Sequence, residues 1–229
     1  GCEHNLDASL NLDGVRYVRP TAGVEIAVLV GAAGSGKSRV CQRIIAEFGA
    51  RGMFVCPTAI SNLAATAFEH GGTLHNLFNL GVETDASGNT VVQLEPDGGT
   101  VTADRDAMLW DARCGAIIID EGFASVCSVI ESIVEFCTRR DYRLRILING
   151  APDQLPPVVP YGSPDEIVAV SLLSSWVWRN AEARFLLRTQ YRSAADRPWA
   201  AFLQALATGS APGVAGHAFT DADAHATAV

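Results

Sequence analysis

Apolar residues recur along this chain with two periods. Short unbroken runs have the length of strands buried on both faces: "EIAVLV" (25–30), "GMFVC" (52–56), "GAIIID" (115–120), "RLRILIN" (143–149) and "ARFLLR" (183–188). Between them lie segments with apolar positions three and four apart, which predict helices. These are "SRVCQRIIAEF" (38–48), "ISNLAATAFEH" (60–70, closed by Gly71-Gly72), the short "TLHNLFNL" (73–80), "DRDAMLWDA" (104–112), "SVCSVIESIVEFCTRR" (125–140), "SLLSSWVW" (171–178) and "RPWAAFLQALATG" (197–209). Residues 81–101 break the alternation. There the turn signals "ASGN" and "PDGG" flank "TVVQLE" and predict a small β-hairpin insertion. Strand alternating with helix predicts an α/β fold, a central parallel sheet with helices on both faces. Ligands in such sheets bind at the carboxyl ends of the strands.

Composition narrows the class. With 48% hydrophobic and 18% charged residues over 229 positions, the chain can build a globular core of one moderate to large domain, or two small ones. No apolar run approaches the ~18 residues of a membrane span. The start, "GCEHNLDASLNLDG", has neither the basic region nor the apolar stretch of a signal peptide, and no initiator Met, as expected of a piece of a longer protein. Six cysteines form no C-x-x-C pair and several sit in apolar runs, so they read as reduced core thiols. Neither they nor the five histidines have zinc-ligand spacing. The net charge of −8 carries no nucleic-acid footprint, although a positive groove can exist on an acidic body.

The candidate chemistry starts at "GAAGSGKS" (31–38). Of seventeen basic residues only Lys37 is a lysine. A compact ammonium can thread between crowded phosphate oxygens where a planar guanidinium cannot. The stretch fits G-x-x-x-x-G-K-[ST], and it stands between a buried strand and a helix start, as a phosphate-binding loop requires. Gly31, Gly34, Ser35, Gly36, Lys37 and Ser38 are the candidate nucleotide-binding residues, with Ser38 placed to bind Mg²⁺. Asp120 and Glu121 end an apolar strand at the same sheet edge, so one carboxylate can hold the metal while the other orients or deprotonates water. Gln154, in the proline-rich loop after the fourth strand, is placed to contact a γ-phosphate or the attacking water. Arg188 and Arg192, after the fifth strand, are placed to stabilise charge on a transferring phosphoryl group.

Taken in order, these stretches resemble superfamily 1 DNA helicases of the Pif type, especially the helicase region of Helitron-like transposon proteins. "GAAGSGKS" is similar to motif I of that family, "CPTAISNLAATAFEHGGTLHNLF" to motif Ia and the T-x-H segment, and "AIIIDEGFASV" to motif II. "GAPDQLPPV" resembles motif III, and "EIVAVSLLSSWVWRNAEARFLLRTQYR" the segment leading to the motif IV arginine. The resemblance covers about residues 24–213 and implies a RecA-like P-loop NTPase domain, preceded by a lead-in (1–23) and followed by a tail (214–229). It implies ATP and Mg²⁺ as cofactors. Asp120 would hold the metal, Glu121 act as base, Gln154 sense the γ-phosphate and Arg192 contact it. Thr58 and His75 match positions along the single-stranded DNA track.

The chain departs from the family pattern in three places. Ala151 stands where motif III has Asp, Phe123 where motif II has Ser, and the upstream adenine-contacting Gln is not evident. The second RecA-like domain, with its further arginine, does not fall within these 229 residues. The expectation is therefore a monomeric motor domain, working in the nucleus or another DNA-containing compartment. These residues alone should bind nucleotide and single-stranded DNA weakly, and should not unwind a duplex. Two alternatives stand beside it: a helicase-derived module that binds nucleotide or DNA without turnover, which Ala151 and Phe123 favour, and a P-loop kinase or other ATPase acting on a small molecule, against which the T-x-H and QLPPV segments speak.

Overall fold

A computed structural model describes residues 2–5, 23–84, 90–93, 101–152, 156–159, 162–189, 191, 198, 201 and 205. In chain order its elements are β1 (Cys2–Asn5), β2 (Glu25–Gly31), α1 (Lys37–Ala50), β3 (Phe54–Ala59), α2 (Asn62–Ala65), β4 (Gly72–Thr73), α3 (Leu74–Phe78), β5 (Gly81–Thr84), β6 (Thr90–Gln93), α4 (Ala103–Trp110), β7 (Cys114–Asp120), α5 (Cys127–Arg139), β8 (Arg145–Gly150), α6 (Pro164–Ala169), α7 (Trp176–Arg179) and β9 (Ala183–Leu187). Seven strands form one sheet in the order β1-β9-β2-β8-β7-β3-β4, with every pairing parallel. β5 and β6 pair antiparallel as the separate hairpin that the turn signals predict.

Side-chain parity along the central strands divides the core into two layers, because successive residues of a strand face opposite sides. Ile26, Val28, Ile117, Ile119, Ile146 and Ile148 join the larger cluster, with Leu74, Phe78, Leu109 and the buried face of α5 (Val129, Ile130, Ile133, Val134, Phe136, Cys137). Leu29, Ala116, Ile118 and Leu147 face the other way, onto Cys41 and Phe68, with Val40, Ile44, Ile45 and Phe48 of α1 packed against them. Both faces of β7 are buried along its whole length, which explains why its sequence is an unbroken apolar run rather than an alternating one.

Two expected helices come out differently. The segment 60–70 is helical only over Asn62–Ala65. Beyond it Thr66 Oγ1 turns back to donate to the Leu63 carbonyl (2.7 Å), and Ala67 and Phe68 bond three residues back. This tighter winding, with His70 at φ 58°, aims Phe68 into the layer under α1. The segment 171–178 splits into a single 3₁₀ turn (Leu172–Ser174) and α7, because Ser175 adopts extended backbone and caps Val177 N–H with its hydroxyl (3.0 Å). The helix expected over 197–209 lies outside the described residues except for 198, 201 and 205, which are helical. Strands β1 and β4 and helix α6 are additions to the sequence reading.

Candidate functional site

The site grows from the loop between β2 and α1. Gly34 (φ 80°) and Gly36 (φ 92°) lie in the left-handed region, which only glycine enters at little cost. Gly36 is the N-cap of α1 and offers no side-chain hydrogen bond. The first-turn N–H groups of this 14-residue helix therefore face the loop with the positive end of the helix dipole behind them. Gly31 has no room for a Cβ, which would collide with Ser35 Oγ and lie 3.0 Å from Leu187 Cβ. Ser35 is buried, and its hydroxyl has no hydrogen-bond partner among the described residues. Lys37 Nζ donates to the carbonyls of Gly31 (2.6 Å) and Ala32 (3.1 Å), which folds the ammonium over the loop. The segment after β9 is tied to the same loop, since Tyr191 N–H donates to the Gly34 carbonyl (2.9 Å).

Asp120 shares the parity of Ala116 and Ile118, so β7 delivers it to the α1 face of the sheet, where its carboxylate interacts with the Lys37 charge. It is 6% exposed. Burial pushes its carboxyl above the ordinary range, opposed by the Glu121 N–H (2.9 Å), the Asn149 amide and Lys37, while the neighbouring Glu121 charge adds to the rise. Glu121 itself sits at φ 57°, ψ 27°, an unusual conformation for a residue with a Cβ. That turn sends its exposed side chain away from Asp120's face and towards α2, where Ser61 Oγ donates to Glu121 Oε2 (3.2 Å). Ser61 also accepts from Ala64 N–H (3.1 Å), so one hydroxyl caps α2 and holds the acid.

This donor set fits a nucleotide with Mg²⁺. The loop offers N–H groups and an ammonium to phosphates, and Ser38 and Asp120 offer hard oxygens to the metal. Among the described residues no three His, Cys, Asp or Glu side chains gather into a metal-holding cluster. An ion here would take most of its ligands from phosphates and water, as Mg²⁺ does.

The remaining predicted residues are placed as follows. Thr58, near the end of β3, is buried and its hydroxyl donates to the Ile118 carbonyl (2.7 Å). His75 is half-buried in α3, whose cap is Thr73. A groove of about 640 Å³ is lined by Thr58 and, from around α3, by Thr73 and Asn76, with Arg105 among others; His75 is not in its lining. Gln154 and Arg192 lie outside the described residues. Their described neighbours follow β8 and β9, the two strands flanking β2. Ala151 is 3% exposed. Phe123 fills the core, its ring edge-on to Trp178 at 5.8 Å, and a Cβ on Gly150 would stand only 2.7 Å from the Phe123 ring.

Sequence reasoning missed Ser61, Asn149, Cys41 and Tyr191. Asn149 carried a signal, being the one polar residue at the buried end of "RILIN". It is fully buried, with Nδ2 donating to Cys41 Sγ (3.0 Å). Burial pushes the Cys41 thiol up to about 12, so it stays protonated.

A family model described as PIF1-like helicase matches residues 18–202. Among solved structures the chain resembles the Pif1 helicase from Candida albicans (TM-score 0.64, 22% identity, covering 82% of this chain and 42% of that one). It also resembles Bacteroides Pif1 bound to ssDNA (0.62, 18%, 82% and 44%) and a Bacteroides sp. Pif1 in complex with ADP-AlF4 (0.58, 17%, 82% and 43%). The chain thus spans less than half the length of these structures. A search of curated proteins finds no match.

Proposed function

The chain belongs to the PIF1-like helicase family, and from that premise we propose that its domain binds MgATP and hydrolyses it to drive 5′-to-3′ movement along single-stranded DNA, in concert with a second motor domain. One observation carries the reading: the glycine loop, Lys37 and the Asp120-Glu121 pair converge at one edge of a parallel sheet.

The roles follow from that edge. The N–H groups of the loop and Lys37 bind phosphate oxygens, for which the ammonium exchanges the Gly31 and Ala32 carbonyls. Ser38 and Asp120 would hold Mg²⁺, whose charge would offset that of the phosphates. Glu121, steered by Ser61, takes the proton of the attacking water. Gln154 orients that water or senses the γ-phosphate, and Arg192 stabilises the transferring group. Thr58, on β3, and His75, on α3, lie along the DNA track. Because the side chain of Thr58 is committed to Ile118, its contribution comes through the backbone and its neighbours. The DNA substrate sets the compartment, the nucleus or another that holds DNA.

A second reading, binding without turnover, draws on Ala151 and Phe123. Both are buried where the family pattern has polar groups, so neither position contributes a carboxylate or a hydroxyl. Hydrolysis measured with and without single-stranded DNA separates the two. Turnover stimulated by DNA supports the motor, and nucleotide binding with no turnover under any DNA condition supports the module.

A further inference from the structure

We propose that Asn149 is a positioning residue that holds the Asp120 carboxylate in the orientation a nucleotide-bound metal requires, braced from α1 by the Cys41 thiol. The inference rests on the nucleotide-site reading above and adds two residues to it.

The geometry is as follows. β7 and β8 are parallel neighbours with Ile119 opposite Ile148, so the next positions on each strand, Asp120 and Asn149, emerge side by side. Asn149 has the parity of Leu147 and Asp120 that of Ile118, and both of these face α1. Cys41 lies one helical turn after Lys37 on α1 and is fully buried. The Asn149 amide nitrogen donates to Cys41 Sγ at 3.0 Å, and the same amide favours the charged form of the Asp120 carboxyl beside it. A primary amide has two N–H bonds, so one remains for the neighbouring Asp120 carboxylate. One side chain thereby ties the strand that carries the metal carboxylate to the helix that carries Lys37 and Ser38.

The unused end of the amide supports this assignment. Asn149 Oδ1 is buried and has no hydrogen-bond partner among the described residues. Rotating the amide to satisfy it from another direction would turn a carbonyl oxygen towards the Asp120 carboxylate and remove the donor from it. A purely structural residue at this position would be apolar, as Leu147 and Ile118 beside it are. The orphaned acceptor is the cost of presenting an N–H to Asp120, and groups that orient metal-binding carboxylates act in this way.

The test uses the whole chain, a non-hydrolysable ATP analogue and Mn²⁺ as the probe, with free Mn²⁺ read by electron paramagnetic resonance. Asn149→Leu and Asn149→Asp keep the side-chain size. The expected result is unchanged or raised melting temperature for Asn149→Leu and unchanged metal-free affinity for the analogue in both. Mn²⁺ affinity in the ternary complex should fall ~10–100-fold, the range for lost supporting shells. Cys41→Ser, which keeps an acceptor, should retain more Mn²⁺ affinity than Cys41→Ala. Wild-type Mn²⁺ affinity in a folded Asn149→Leu overturns the proposal. If neither Asn149 variant folds, equal Mn²⁺ affinity in Cys41→Ser and Cys41→Ala overturns it. A wild-type chain that binds no analogue at all overturns the nucleotide-site reading itself, and the inference with it.

Discussion

The hydroxyl of Ser61 donates to the Glu121 carboxylate at 3.2 Å, joining the tip of β3 to the tip of β7. The backbone repeats the link, since Ile60 N–H donates to the Asp120 carbonyl (3.2 Å). Ser61→Ala removes both the α2 cap and the hold on the acid. The cap is worth ~1 kcal/mol, or about 2–4 °C of melting temperature in a domain of this size. The expected outcome is that small loss in a thermal scan, unchanged nucleotide affinity and slower DNA-stimulated hydrolysis. Full hydrolysis in Ser61→Ala would show that Glu121 needs no such anchor.

Asp120 predicts a trade of stability against function. Its folded-state carboxyl is raised by burial, so its ionisation opposes folding. The sign is that of a raised pKa: the contribution is present below the unfolded value of about 3.8 and is lost as pH rises through the higher folded value. Asp120→Asn should therefore melt higher than wild type at neutral pH, with the difference vanishing in acid, while metal-dependent nucleotide binding is lost. A variant that melts lower than wild type at neutral pH contradicts this account.

Phe123 occupies a family serine position but behaves as core. It is 6% exposed, packed on Trp178 and against Gly150. Phe123→Ala should cost ~3–5 kcal/mol, a large share of a typical domain's stability, read as a lower denaturation midpoint. Gly150→Ala should also destabilise, since its added Cβ meets the same ring.

Ala151→Asp restores the carboxylate that the family pattern has, in a buried setting. An ionised group there costs free energy unless a cation compensates it. The expected outcome is a lower melting temperature without ligand, recovered by Mg²⁺ with nucleotide, together with faster DNA-stimulated hydrolysis. If hydrolysis is unchanged or falls, either Asp153, two residues further along the chain, already supplies the carboxylate or the motor reading yields to the non-turnover module.

Much of this was written in the chain. β2, β7 and β8 were legible because both faces are buried, which forces uninterrupted apolar runs, and the nucleotide loop because its glycines and single lysine have few other uses. β1 and β4 were not, because strands of four and two residues are too short to carry a period. The sequence "SPDE" at 163–166 did announce α6, through a capping box with Pro in the first turn, and was passed over. The break after Ala65 and the split at Ser175 were invisible to periodicity, because side-chain hydroxyls decided them by taking backbone partners. Within the site, Lys37 and the acids could be named from motif, but Ser61 and Asn149 could not. Their roles exist only once β3, β7, β8 and α1 are side by side.

The central claim is that the loop around Lys37 binds a nucleotide's phosphates, and calorimetric titration with a non-hydrolysable ATP analogue in Mg²⁺ tests it most directly. Wild type should bind, and Lys37→Ala should lose at least ~10-fold in affinity while remaining folded, since a charge-assisted hydrogen bond is worth ~1.5–3 kcal/mol. Lys37→Arg should also weaken binding, because a planar fork does not fit a site for a point charge. Equal affinity in wild type and a folded Lys37→Ala would contradict the account.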